Sequence, residues 1–148
     1  MQRTCLVLAF LFGGAVLSAQ PAAAEGALAV GLPAGGVSHG FVYGWAVGAN
    51  DKMRALRTCQ GIITENNAIP ANASEAQRAC AVVATFRDQC VAVALNGNQV
   101  TPATGVGWAM AADLGTAKAQ ALSRCEAAAG PGKAPCMVQS SGCDGAAR

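Results

Sequence analysis

The tripeptide Gly-Trp-Ala occurs twice in this chain, at residues 44–46 and 107–109, and each copy runs on into Ala-Leu-x-x-Cys, ending at Cys59 and Cys125. A whole strand-and-helix unit written twice constrains the fold more than any composition does, because two similar apolar faces must be buried under a pseudo-twofold. Two copies are too few for a solenoid. Ala29 and Ala92 are separated by the same 63 positions as Trp45 and Trp108 (92 minus 29, 108 minus 45). Beyond the tryptophan the second copy carries three more residues before its cysteine, since Trp45 to Cys59 is 14 steps and Trp108 to Cys125 is 17.

Each copy reads as strand, turn, strand, helix, strand. In the first, ALAVG is a short apolar strand, LPAGGVSHG is a turn region, and FVYGWAV is rich in aromatic and β-branched residues. Asn50 or Asp51 caps the helix that follows, Met53, Leu56 and Cys59 share one face, and Gly61 stops it. AVVATF is the closing strand. In the second copy VAVAL turns at Asn96-Gly97, a pair suited to a tight hairpin, and returns through VGWAMA. Thr116 or Asp113 caps the second helix, Ala117, Ala121 and Cys125 line it, Gly130-Pro131 ends it, and CMVQSS is the last strand. The excursion between Cys59 and Cys80 holds one candidate capping box, Ser74-x-x-Gln77, and the 63–78 loop is a candidate functional segment. The fold class expected is α+β: a duplicated β-β-α-β unit, mainly antiparallel sheet with two helices packed on it, stapled by disulfides.

Residues 1–24 read as a signal peptide cleaved after Ala24. Arg3 opens it, CLVLAFLFGGAVL is its apolar stretch, and SAQPAAA gives the small-x-small cleavage pattern. That apolar stretch falls short of the roughly 20 residues that span a bilayer. The remainder, 25–148, reads as a single domain of two repeats, about 26–89 and 90–143, exported to the periplasm or secreted. Six cysteines stay in it: Cys59, Cys80, Cys90, Cys125, Cys136 and Cys143. An even number in an exported chain reads as a disulfide framework, and no C-x₂₋₄-C spacing announces a metal. Symmetry favours Cys59 with Cys80 and Cys125 with Cys136, tying each helix end to its following strand, with Cys90 to Cys143 across the copies. It does not single out one of the 15 connectivities that six cysteines allow.

Without Arg3 the basic residues number 9 against 8 acidic, one fewer than the 10 of the whole chain, and they are scattered singly. That is no footprint for nucleic acid. His39, the single histidine, lies in a glycine-rich turn without a free thiol to activate. The residues call for no metal and no cofactor, and no residue is assigned as catalytic. Trp45 and Trp108 fit a shared core better than a binding surface, but an exposed indole is an anchor, so both stand as binding candidates. Arg87 and Asp88, just past AVVATF, are the candidate recognition pair.

These patterns, GALAV, YGWAVG and the stretch from Cys80 to Ala94 above all, resemble the exported bacterial family catalogued as domain of unknown function 4189. The resemblance covers roughly Gly26 to Cys143. Its most specific piece is FRDQC, Phe86 to Cys90. It implies a small secreted or periplasmic protein and carries over no catalytic residue. The preferred expectation is a non-enzymatic binding or interaction module outside the cytoplasm, with an unknown protein or envelope partner. One alternative is a small hydrolase of envelope polymers, with Asp88 and Glu65 as its carboxylates. Another is a structural envelope component, a homodimer through a sheet edge.

Overall fold

The computed structural model describes residues 25–62, 68–97, 103–145 and 147. The signal segment, Glu65 and part of the 63–78 loop lie outside them. The order of elements is β1 (Gly26–Gly31), a 3₁₀ turn (Val37–His39), β2 (Val42–Val47), α1 (Asp51–Gln60), α2 (Glu75–Arg78), β3 (Ala81–Phe86), β4 (Cys90–Leu95), β5 (Val106–Ala111), α3 (Leu114–Ala129) and β6 (Met137–Cys143). All strand pairs are antiparallel, and the class is α+β with three disulfides.

The strands divide into two sheets, β2-β1-β3 and β5-β4-β6, where the sequence suggests one. The reason lies in the sizes of alternate residues on the central strands, which are buried on both faces. On β1, Leu28 and Val30 point to the other sheet, where they meet Val91 and Val93 of β4. Ala27 and Ala29 face the opposite way, under Ala55 and Cys59 of α1. Ala92 and Ala94 likewise lie under Ala117, Ala121 and Cys125 of α3. Four layers result: helix, sheet, sheet, helix. The outer seams are built from alanine and cysteine, and the middle layer holds the bulky groups.

Glycine makes the outer seams tight. A Cβ at Gly44 would collide with the Ala55 carbonyl oxygen and the Cys59 nitrogen, and one at Gly107 with the Ala121 carbonyl oxygen and the Cys125 nitrogen. The helix backbone therefore rests directly on the strand, an approach only glycine permits. This is why Gly precedes Trp in both copies: glycine meets the helix, and tryptophan points to the other sheet.

Pairing fixes which residues correspond. Leu28 pairs with Trp45 and Val93 with Trp108, so the counterpart of Leu28 is Val93, an offset of 65 (93 minus 28) and not the 63 of the tryptophans. A bulge follows Leu28 in one sheet and Val93 in the other. Opposite them lie Ala84 and Ser140, so β3 and β6 are offset by 56 (140 minus 84).

Local signals read from sequence hold unevenly. Asp113 caps α3, its carboxylate accepting from the Thr116 N–H at 2.8 Å, and that bond holds its pKa below the usual aspartate value. Ser74 and Gln77 form the full capping box, and Gly61, at φ 69°, ends α1. α1 itself has no side-chain cap: Asn50 sits in the left-handed region at φ 60°, and Asp51 is buried with Oδ2 unpartnered. Met53 is exposed, and the buried stripe of α1 is Asp51, Ala55 and Cys59. Asn96-Gly97 does not make a tight turn, because β4 ends at Leu95 and β5 begins at Val106. Asn96 instead clamps this wide connection: its Oδ1 accepts from the Thr104 and Gly105 N–H groups at 2.9 and 2.8 Å, and its Nδ2 donates to Thr104 Oγ1 at 2.7 Å.

Candidate functional site

The three bridges are Cys59–Cys80, Cys125–Cys136 and Cys90–Cys143. The first two tie a helix end to the approach of the following strand, as the symmetry argument prefers. Cys90–Cys143, expected to cross between the copies, lies within the second sheet, linking neighbours β4 and β6. Cys90 and Cys143 therefore belong to the same copy, on different strands of one sheet, and each has its own counterpart in the other copy. By the strand offsets their counterparts are Glu25 (90 minus 65) and Arg87 (143 minus 56). Glu25 and Arg87 do meet, as an ion pair. One corner is closed covalently and the other by two exposed charged side chains.

Around that second corner lies an open cavity of about 270 Å³ lined by Glu25, Lys52, Thr85, Phe86 and Arg87. Each element contributes for a local reason. The Gly48 N–H donates to the Glu25 carbonyl at 2.7 Å and holds the start of β1. Lys52 comes from the first turn of α1, and Arg87 follows β3, where the chain turns toward β4. The turn is tight: Asp88 adopts φ 51°, uncommon for a non-glycine residue, and its N–H faces Asp144 Oδ2 at 3.4 Å. Asp144 is buried, and its own N–H donates to the Gln89 carbonyl at 2.9 Å. The candidates Arg87 and Asp88 thus stand side by side but differ in setting, Arg87 in the ion pair and Asp88 against the segment after β6.

Trp45 and Trp108 do not join this corner. Both are part-buried in the layer between the sheets. Trp45 Nε1–H donates to Ser140 Oγ at 2.8 Å, with its ring over Gly142, and Trp108 stacks on Phe41 at 6.4 Å between centroids. Tyr43 also bonds to Ser140. Burial pushes its phenol above the ordinary value, and the Ser140 hydrogen bond draws it partly back. A raised folded pKa adds stability below the unfolded tyrosine value, which is lost as pH rises through the folded one. Because the chain has a single tyrosine, tyrosinate absorbance at 295 nm reports Tyr43 alone. We expect a native midpoint above 10 and a return to about 10 in denaturant. A native midpoint at or below the denatured one would mean that the phenol is not desolvated in this layer.

His39 is exposed, its ring over Gly35, and no helix among the described residues is long and apolar enough to cross a membrane. The model for the family Domain of unknown function (DUF4189) matches residues 26–143. The chain belongs to this family. The DUF4189 match spans every strand and helix above, from the first residue of β1 to the last of β6. No curated protein and no solved structure matches the chain. Of the residues that this DUF4189 chain brings to the charged corner, the sequence singles out Arg87, with Asp88 beside it, and does not point to Glu25 or Lys52. The signal that finds Glu25 is the register of β1 against β3, because an acidic residue one place before Gly26 falls opposite the arginine one place after Phe86.

Proposed function

We propose that this DUF4189 protein is exported, with cleavage after Ala24, and acts outside the cytoplasm as a non-enzymatic binding module. Its partner-facing corner is formed by Glu25, Lys52, Thr85 and Arg87, with Asp88 beside it. One observation carries this reading: where the second copy closes the corner with Cys90–Cys143, the first has an open cavity ringed by exposed charges. A corner needed only for rigidity is served by the bridge. Exposed ion pairs contribute about 1 kcal/mol or less, so stability gives little reason to keep one there. Cleavage before Glu25 would add an α-ammonium to Lys52 and Arg87, favouring an acidic patch on a protein or envelope partner. Three bridges suit a module that must hold its shape in an oxidising compartment.

The test is capture from envelope extract and spent medium on the immobilised oxidised protein, read by mass spectrometry and then by titration. The double change Lys52→Ala, Arg87→Ala should weaken a saturable partner by about tenfold or more, on the pattern of charged interface anchors, with an unchanged near-ultraviolet circular dichroism spectrum. A partner held equally well by the double variant would move the site elsewhere. Turnover of an envelope polymer that is lost in Asp88→Asn would replace the binding reading with the hydrolase one.

A further inference from the structure

Asp51 is a buried carboxylate in the first turn of α1, 7% exposed, and its Oδ2 has no hydrogen-bond partner among the described residues. A carboxylate oxygen kept from water is costly until a donor reaches it. The surrounding backbone shows where a donor would come from. Along β2, Asp51 meets Gly48, Arg54 meets Val47 and Cys59 meets Gly44, so α1 runs antiparallel to β2 and parallel to β1. Asp51 lies one turn before Ala55 on the stripe that packs under Ala27 and Ala29, and Glu25 lies two residues before Ala27, at the same end. Gly48 joins the two: its N–H donates to the Glu25 carbonyl at 2.7 Å, and its carbonyl accepts from the Asp51 N–H at 3.1 Å. In an antiparallel pair the N–H and C=O of one residue point to the same neighbour. The Glu25 nitrogen is therefore directed toward Gly48 and the start of α1. The other charged groups at this end have their own places: the Glu25 carboxylate pairs with Arg87, Arg54 donates to the Val47 carbonyl, and Lys52 is exposed on the cavity.

The second copy shows what packing alone requires at this position. Gly44 meets Ala55 and Cys59 as Gly107 meets Ala121 and Cys125, an offset of 66 (121 minus 55), so the counterpart of Asp51 is Ala117, which is fully buried. There the chain runs unbroken from β3 into β4, whose Cys90 is the counterpart of Glu25. A carboxylate thus stands only in the copy whose first strand begins at the proposed cleavage point. We propose that the α-ammonium released at Glu25 by signal cleavage pairs with the buried carboxylate of Asp51, fastening the start of β1 to α1 in the mature chain alone. This rests on the cleavage after Ala24 proposed above. Hydrolysis adds one water across the Ala24–Glu25 peptide bond, leaving a carboxylate on Ala24 and an amine on Glu25 that takes up a proton at neutral pH. One peptide N–H becomes three donors with a positive charge, beside a carboxylate oxygen that lacks a donor. The pair steadies the corner that carries Lys52 and Arg87 once the signal is gone.

Denaturant unfolding of four oxidised chains at about pH 6.5, where the α-amine is charged, tests the pairing: the chain beginning at Glu25, the same chain preceded by Ala22, Ala23 and Ala24, and Asp51→Asn in each. Asp51→Asn should lower the folding equilibrium constant of the mature chain by about tenfold or more, because a buried ion pair loses one partner. In the extended chain it should leave that constant unchanged or raise it. A paired ammonium keeps its proton past the ordinary α-amine value of about 8. Its contribution is complete below the unfolded pKa and is lost as pH rises through the folded one, so the difference between the two chains should fade in that range. Lys52 and Tyr43 titrate in both chains and cancel in that difference. Titration of the α-amine in the unmutated mature chain, followed by NMR, gives a second reading that needs no variant to fold: a midpoint at or below about 8 overturns the pairing. Equal effects of Asp51→Asn in the mature and extended chains also overturn it, and leave the cleavage reading intact. Mass spectrometry of the protein recovered from envelope or medium tests that reading by itself, and a first residue other than Glu25 overturns both.

Discussion

Replacing Gly107 with alanine should cost about 3 kcal/mol or more, near the upper end of what overpacking does. The new methyl group would occupy space held by the Ala121 carbonyl and the Cys125 nitrogen, both backbone, which no side-chain rotation can clear. Relief requires α3 to lift off β5, separating Ala117 and Ala121 from Ala92, Ala94 and Ala109. Gly44→Ala should act in the same direction through Ala55 and Cys59. Denaturant unfolding of the oxidised proteins measures both. A Gly107→Ala variant with its parent's midpoint would mean that α3 does not rest on β5 as described.

Removing the Cys90–Cys143 bridge should be the most damaging of the three disulfide losses. Bridges restrict the unfolded chain, and the entropy released grows with the logarithm of the loop closed. The separations are 53 residues for Cys90–Cys143, 21 for Cys59–Cys80 and 11 for Cys125–Cys136. By the loop relation these correspond to about 4, 3 and just under 3 kcal/mol. Paired Cys→Ala changes, unfolded in parallel under guanidinium, should follow that order. An inverted order, with Cys125–Cys136 worth most, would point to native packing around the buried Cys125 as the larger contribution.

The repeat, the helix stops, the capping box and the antiparallel strands were legible in the chain because each rests on local chemistry. The split into two sheets was harder to read. Alternation of apolar and polar residues marks a strand with one wet face, and β1 and β4 have none, so period-two reasoning found only continuous apolar runs. The missing clue was size: alanine at alternate positions marks the face that meets a helix, and leucine or valine the face that meets the other sheet. Asn96-Gly97 misled because the dipeptide favours a two-residue turn, whereas Asn96 uses its side chain to fasten a wider connection. The charged corner escaped because Glu25 gains its meaning only from the residue opposite it. Arg54 and Arg124, which donate to the Val47 and Trp108 carbonyls of β2 and β5, escaped for a related reason: a long guanidinium reaching a strand carbonyl leaves no spacing rule in the sequence.

The middle layer shows how far the two copies have diverged. At one corresponding pair of positions the first sheet has Gly26 with Phe86, the ring lying over the glycine, and the second has Val91 with Gly142, where the gap is filled by Trp45 from the other sheet. The bulk has changed strands between copies. Two first halves placed together would present two Phe86 rings and no hollow for either indole. The protein is in effect a heterodimer whose subunits happen to share one backbone: each half carries the shape its companion lacks, and neither can stand in for the other.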